Sequence, residues 1–147
     1  MGLLNPGGPI AQFKRNRCSI SPVELILQSG VRNYLTRLDA YTFHEGFAHL
    51  LSYQATEIDC VDWHTPQLTE VAAASRAKLR LALTETDPDR QKQFLEEAVC
   101  GSYYEKFACM CGMLYLADRW ETQGIDGLQS AFADYHGFAQ RALSIRI

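Results

Sequence analysis

The sequence lacks both a strong net charge and a long apolar run. Its 14 lysine and arginine residues nearly balance 17 aspartate and glutamate residues, and the formal net charge is −3. Such a mildly acidic chain offers no basic surface for nucleic acids or anionic membranes. The longest apolar stretch, residues 107–117, is interrupted by a glycine, and it is shorter than the roughly 20 residues that span a bilayer. We therefore expect neither a nucleic acid nor a membrane as a partner.

Signals for export and for a disulfide framework are missing too. The first nine residues contain proline and glycine but no apolar core of the kind that a secretory signal requires. The five cysteines are an odd number, are scattered along the chain and often lie among apolar residues, which is typical of reduced intracellular proteins. The sequence therefore predicts a cytoplasmic protein with free thiols.

Alternating β-strand patterns are also absent, whereas the starts of helices are easy to identify. Ser21 and Ser102 each open a capping box, in which a glutamate follows the serine by three residues. Thr65 and Asp87 each precede a proline, a residue that suits the first position of a helix. Asp126 is expected to cap the last helix. Between these points, apolar residues recur at spacings of three and four, which is typical of amphipathic helices.

The length and composition suit one hydrophobic core, since the chain has 147 residues and is 47% hydrophobic. We predict an all-α fold, a single compact bundle of five or six helices over residues 21–147, preceded by an irregular arm at residues 1–20. Gly124 is expected to end the fifth helix. The first two helical segments either join or bend at Asp39, because no strong helix breaker lies there.

A histidine-rich stretch is the candidate for chemistry, because three of the four histidines lie within 21 residues. His44 and His49 are five residues apart, whereas the zinc motif H-E-x-x-H needs a separation of four, so they cannot bind one ion from one helix face. Glu45 and His49 have that separation and can face a common point. One hypothesis is a zinc site built from Glu45, His49 and His64 or Cys60. The alternative is a simple Glu45–His49 pair along the helix.

Residues 37–52 (RLDAYTFHEGFAHLLS) resemble the third-ligand segment of gluzincin-type zinc peptidases, in which an EG-x-A helix follows the H-E-x-x-H helix. Residues 101–117 and 123–128 are similar to the helix pair that often closes such domains, and the resemblance covers about residues 22–135. It implies an all-helical catalytic-domain region in which Glu45 matches the zinc ligand.

The chain departs from that family at the residues that bind zinc. No H-E-x-x-H occurs anywhere, and the corresponding upstream residues 23–27 read VELIL, with apolar residues at both histidine positions. Without those ligands there is no zinc-activated water. The resemblance therefore implies a degenerate relative or a fragment that serves as a binding scaffold.

Surface aromatic residues are the remaining signal for function. Trp63 lies in an acidic loop with Asp59 and Asp62, beside His64, and is expected to be an exposed anchor for a partner. Tyr115 and Trp120 belong to an aromatic- and methionine-rich fifth helix, which is either central to the bundle or exposes a binding face. A further hypothesis places a small-ligand pocket among four tyrosines: Tyr34, Tyr103, Tyr104 and Tyr115.

The sequence thus favours a cytoplasmic helical domain that binds another protein and has no cofactor. This pattern fits an adaptor, an inhibitor or immunity-type protein, or a catalytically degenerate peptidase-like scaffold. It also fits a protein that associates with further copies of itself. The alternative is a zinc-dependent hydrolase that uses Glu45, His49 and His64, with His44 and Cys60 as additional candidate ligands.

Overall fold

The computed structural model describes residues 34–145, and these residues form a compact bundle of α-helices without a β-strand. The five helices are α1 (Tyr34–Ser52), α2 (Pro66–Thr84), α3 (Pro88–Val99), α4 (Phe107–Ala133) and α5 (Phe138–Ala142). Single-turn 3-10 helices lie at Tyr53–Ala55, Ile58–Cys60 and Tyr103–Glu105. The predicted all-α bundle is confirmed. The predicted arm at residues 1–20 and the Ser21 capping box lie outside the described residues.

Two of the predicted helix starts are confirmed in atomic detail. The Thr65 hydroxyl accepts a hydrogen bond from the backbone N–H of Leu68 at 3.2 Å, and Pro66 follows as the first residue of α2. The Asp87 carboxylate accepts one from the N–H of Arg90 at 3.1 Å at the start of α3. Each side chain thus satisfies a backbone donor that has no partner within the helix.

Two other predicted caps are wrong. Ser102 precedes the 3-10 turn Tyr103–Glu105 and makes no side-chain cap. The non-helical backbone of Lys106 (φ −75°, ψ 88°) separates that turn from α4. Asp126 lies inside α4 and starts no helix. The last apolar stripe is instead divided after Ala133, and Gly137, with a left-handed φ of 73°, leads into α5.

Gly124 interrupts the helical geometry of α4 at the position where the sequence predicts a helix end. Its φ of 61° and ψ of −145° lie in a region that is essentially restricted to glycine. The chain resumes a helix directly afterwards, so α4 runs on through this kink to Ala133.

Helix α1 continues through Asp39 without a bend, which settles the alternative that the sequence leaves open. Asp39 is buried, and its two carboxylate oxygens accept hydrogen bonds from the backbone N–H groups of Gly137 at 2.8 Å and Ala139 at 2.9 Å. Asp39 therefore caps α5 from a different helix, and this tertiary contact ties the C-terminal end of the described chain to α1.

Helix α4 is the central helix of the bundle, since every residue from 107 to 118 is buried. Its backbone crosses α1 at two glycines. A Cβ placed on Gly112 would lie 2.0 Å from the carbonyl oxygen of Thr42, and one on Gly46 would lie 2.7 Å from the backbone of Gly112. The prediction of a centrally buried helix is confirmed at these residues. None of the helices in the described chain is both long and apolar enough to cross a bilayer.

Candidate functional site

A cluster of polar side chains is buried where α1 meets the start of α4. Glu45 and His49 come from successive turns of α1 and are 2% and 1% exposed. Lys106 and Cys109 come from the other side of the interface and are 3% and 0% exposed. We call these four residues the polar cluster. Buried ionisable groups need compensating partners, so their contacts decide what the cluster can do.

The contacts of His49 fix its tautomer. Its Nδ1 lies 2.7 Å from the backbone carbonyl oxygen of Glu45, and its Nε2 lies 3.4 Å from Nζ of Lys106. A carbonyl oxygen can only accept a hydrogen bond, so the proton sits on Nδ1 and the lone pair of Nε2 faces the Lys106 amine. Both ring nitrogens of His49 therefore have protein partners.

Three atoms of the polar cluster also form a set of metal-ligand type. The carboxylate of Glu45, the imidazole of His49 and the thiol of Cys109 bring one O, N and S atom within 4.8 Å of one another. The Glu45 Oε1 lies 3.8 Å from Nδ1 of His49 and 3.9 Å from Sγ of Cys109. Among residues 34–145, no other set of three or more histidine, cysteine and carboxylate side chains brings its ligand atoms this close together. Zinc accepts all three ligand types.

Tyr103 covers the polar cluster on one side. Its ring centroid lies 5.3 Å from that of His49, and Nζ of Lys106 lies 5.1 Å from the Tyr103 centroid, a cation–π arrangement. Tyr103 is 38% exposed, so it lies between the buried His49 and solvent. Burial, and then the neighbouring Tyr104, raises the pKa of the Tyr103 phenol to about 12.

Tyr103 also belongs to the wall of a shallow groove of about 420 Å³. Tyr104 lines the groove as well, and its hydroxyl lies 2.9 Å from that of Tyr53. Gln54 and Ala55, at the opposite edge, both have a left-handed φ of 52°, which non-glycine residues rarely adopt. The four tyrosines of the predicted pocket are not gathered here, because Tyr34 donates to the Ala82 carbonyl and Tyr115 packs on Phe138.

The other candidate metal ligands lie outside the converging group. His44 is half-buried against the rings of Phe43 and Tyr135, and its burial lowers the pKa of the imidazole. His64 is exposed, and its Nε2 lies 2.7 Å from a carboxylate oxygen of Glu121. Cys60 is exposed. The spacing of Glu45 and His49 brings these two together, but the third group of the set is Cys109, which is 64 positions from Glu45.

The prediction that Trp63 is an exposed anchor is wrong. Trp63 is 1% exposed, its Nε1 donates to the carbonyl oxygen of Ile58 at 3.0 Å, and its ring packs against Tyr53. The carbonyl that binds the indole belongs to the 3-10 turn Ile58–Cys60, and the exposed residues of this acidic loop include Asp59 and Asp62.

The remaining partner-binding candidates divide between the surface and the core. Asp62 and His64 are exposed, and Asp62 accepts a hydrogen bond from the His64 backbone N–H at 2.9 Å. Tyr115 is only 8% exposed, and Trp120 is half-buried against the core. Tyr115 therefore serves the packing of α4 against α5 rather than an open surface.

An apolar surface of a kind that the sequence did not single out lies over α1. Phe132 is 55% exposed although its ring centroid lies 4.2 Å from that of Phe47. Leu51, one helical turn beyond Phe47, is 56% exposed. We call the exposed Leu51 and Phe132, together with the buried Phe47 on which Phe132 packs, the apolar surface. Phe132 belongs to the predicted apolar stripe of the last helix, and nothing in the local pattern marks it as exposed.

No family model matches this chain, and no curated protein or solved structure matches it either. The similarity of residues 37–52 to gluzincin peptidases therefore stays a prediction. Glu24, which the resemblance places opposite Glu45, lies outside the described residues. The polar cluster, the shallow groove beside Tyr103 and the apolar surface are the described features that can support a function.

Proposed function

We propose that this chain is a protein-binding helical domain and that it binds through the apolar surface. The observation that carries the proposal is the open ring of Phe132, which packs on Phe47 while 55% of the residue faces solvent. Clustered exposed apolar side chains are typical of association sites, and aromatic residues supply much of the binding energy there. Adaptors, inhibitors and degenerate enzyme scaffolds all act through such surfaces.

A second copy of the chain is the partner that we propose for this surface. The same exposed apolar side chains on two copies can pack against each other, and two-fold dimers are the commonest oligomers. The thiols fit a reducing compartment, the cytoplasm, because the exposed Cys60 and the buried Cys111 form no disulfide.

Sedimentation equilibrium over a range of protein concentrations tests this proposal. We expect self-association, and we expect Phe132→Ser to weaken it at least about tenfold, because loss of a central aromatic side chain typically costs more than about 2 kcal/mol of binding free energy. Leu81→Ser is the matched control, since Leu81 is 62% exposed on α2. A wild-type chain that stays monomeric at every concentration, or equal weakening by both variants, would contradict the proposal.

The polar cluster supports a binding role over a catalytic one. Each nitrogen of His49 already has a protein partner, because Nδ1, the nitrogen that lies near Oε1 of Glu45, contacts the Glu45 carbonyl oxygen and Nε2 lies beside the Lys106 amine. The polar groups of the cluster can therefore form hydrogen bonds with one another without a metal. The resulting buried network joins α1 to α4.

Zinc binding is the second candidate function, and the convergence of Glu45, His49 and Cys109 favours it. Zinc bonds of about 2.0–2.3 Å at tetrahedral angles place ligand atoms about 3.3–3.7 Å apart. The Glu45 oxygen lies only slightly farther from its two neighbours, at 3.8 and 3.9 Å. A metal here would replace one contact of His49 and would stabilise the interface between α1 and α4. A hydrolytic role would also require water to reach the metal past Tyr103.

Two buried cysteines on α4 make the zinc candidate testable. If zinc binds, metal analysis of the purified protein gives a stoichiometric amount, and a chelator lowers the melting temperature; saturation at 100 times Kd contributes about 2.7 kcal/mol. Cys109→Ala then loses the metal, whereas Cys111→Ala keeps it, since Cys111 is equally buried but outside the ligand set. Zinc retained by Cys109→Ala, or no metal in the wild type, would exclude this site.

A further inference from the structure

A cleft of about 390 Å³ opens beside the kink of α4 and is lined by two arginines from different helices. Arg119 precedes the kink, and Arg141 lies on α5. Gln123, Ser130 and Tyr115 add an amide and two hydroxyl groups to the lining. The cleft is polar and positively charged, which distinguishes it from the apolar surface and from the shallow groove beside Tyr103 and Tyr104.

Neither arginine is neutralised by a carboxylate. In the part of the chain that the structure describes, no ion pair involves Arg119 or Arg141, whereas Lys78 pairs with Glu97 and Arg90 pairs with Glu85. One carboxylate, that of Asp134, also lines the cleft, and its Oδ1 accepts a hydrogen bond from the backbone N–H of His136 at 2.9 Å. Two guanidinium groups against one carboxylate leave the cleft with an excess of positive charge.

The arginines are held in place by neutral acceptors. Arg141 donates from Nη1 to the carbonyl oxygen of His136 and from Nη2 to that of Asp134, both at 2.8 Å. Arg119 donates from Nη2 to the hydroxyl of Thr122 at 3.2 Å. A guanidinium carries five N–H donors, so both groups keep several for a ligand. Positioned cations lose less conformational entropy when they bind.

The geometry points to a binding site for a small anionic molecule, with Arg119 and Arg141 holding its phosphate or carboxylate group. Arginine pairs with both groups through parallel hydrogen bonds, and the hydroxyl and amide groups of the lining can bind the rest of the molecule. The volume falls within the usual range of small-molecule sites, about 300–1,000 Å³, and exceeds what a single ion needs. This inference goes beyond protein binding and does not depend on it.

Calorimetric titration with inorganic phosphate and, separately, with succinate tests the site, with sodium chloride at equal ionic strength as the reference. We expect saturable binding of at least one of the two, and the stronger one identifies the anionic group. Arg119→Gln is expected to raise Kd about tenfold or more, because it removes a charge-assisted pair. Lys92→Gln, at an exposed position of α3, removes the same charge elsewhere and should leave Kd unchanged.

Arg141 needs a milder variant, since its guanidinium also holds the loop between α4 and α5. Arg141→Lys keeps the charge but loses the planar fork, and it should weaken binding by several-fold without a change in helical circular dichroism. Equal binding by the wild type and Arg119→Gln would overturn the proposal. So would the absence of any heat beyond that of chloride, or a loss of affinity in Lys92→Gln as large as that in Arg119→Gln.

Discussion

Gly112→Ala is expected to unfold the protein or to lower its free energy of unfolding by more than about 3 kcal/mol. The added Cβ would lie 2.0 Å from the carbonyl oxygen of Thr42 and 2.9 Å from Cα of Gly46. Both are backbone atoms, so no side-chain rotation can relieve the overlap, and α1 and α4 would have to separate. Overpacking a core ordinarily costs about 1–3 kcal/mol of stability. We expect an overlap with backbone atoms to cost as much as the upper end of that range or more.

Urea denaturation followed by circular dichroism measures this effect. Intrinsic helix propensity alone would make alanine about 1 kcal/mol better than glycine, so the sign of the change separates the steric effect from propensity. Gln129→Ala, at an exposed position of the same helix, should change stability by less than about 0.5 kcal/mol. A Gly112→Ala protein as stable as the wild type would mean that the two helices do not cross this closely.

Asp39→Ala is expected to lower the free energy of unfolding by about 3 kcal/mol. It removes two hydrogen bonds to a carboxylate and leaves the N–H groups of Gly137 and Ala139 without their acceptor. A hydrogen bond to a charged group contributes about 1.5–3 kcal/mol, and an unsatisfied buried donor adds to the loss. Asp39→Asn keeps one acceptor oxygen in nearly the same shape and should cost less than Asp39→Ala.

Amide hydrogen exchange together with urea denaturation checks the Asp39 prediction. Exchange at Ala139 should become faster in Asp39→Ala, because α5 loses its cap. Asp62→Ala is the matched control: Asp62 also accepts a backbone N–H at 2.9 Å, but on the surface. If both alanine variants lose the same small amount of stability, the carboxylate of Asp39 is not what holds α5 in place.

Local patterns predicted the helices well, because caps and apolar spacing act within one or two turns. Thr65 and Asp87 bind N–H groups three residues away, so the sequence contains both partners of each contact. The prediction that Ser102 caps the long helix was wrong, because nothing in the sequence marks the non-helical backbone of Lys106, which separates the turn after Ser102 from α4. The spacing of Glu45 and His49 on α1 likewise revealed that they share a face.

Contacts between distant segments could not be predicted from one sequence. Cys109 joins Glu45 because two helices cross at Gly46 and Gly112, and nothing in the local pattern of α4 distinguishes Cys109 from a core residue. Trp63 is buried where its ring packs against Tyr53, which belongs to the turn after α1, and the polar residues around Trp63 give no sign of this contact. In each case the stabilising contact depends on how separate elements pack together, whereas the pattern of polar and apolar residues indicates only local structural preference.

The capping of α5 by Asp39 has a consequence for the order in which the chain acquires its structure. The two N–H groups that Asp39 binds are synthesised 98 and 100 residues after it, and a helix of five residues does not persist alone in water. During translation the carboxylate therefore has to remain hydrated until Gly137 and Ala139 have been added to the chain. We therefore expect the docking of α5 on α1 to be a late step of folding, because it closes a contact between segments that are far apart in the sequence.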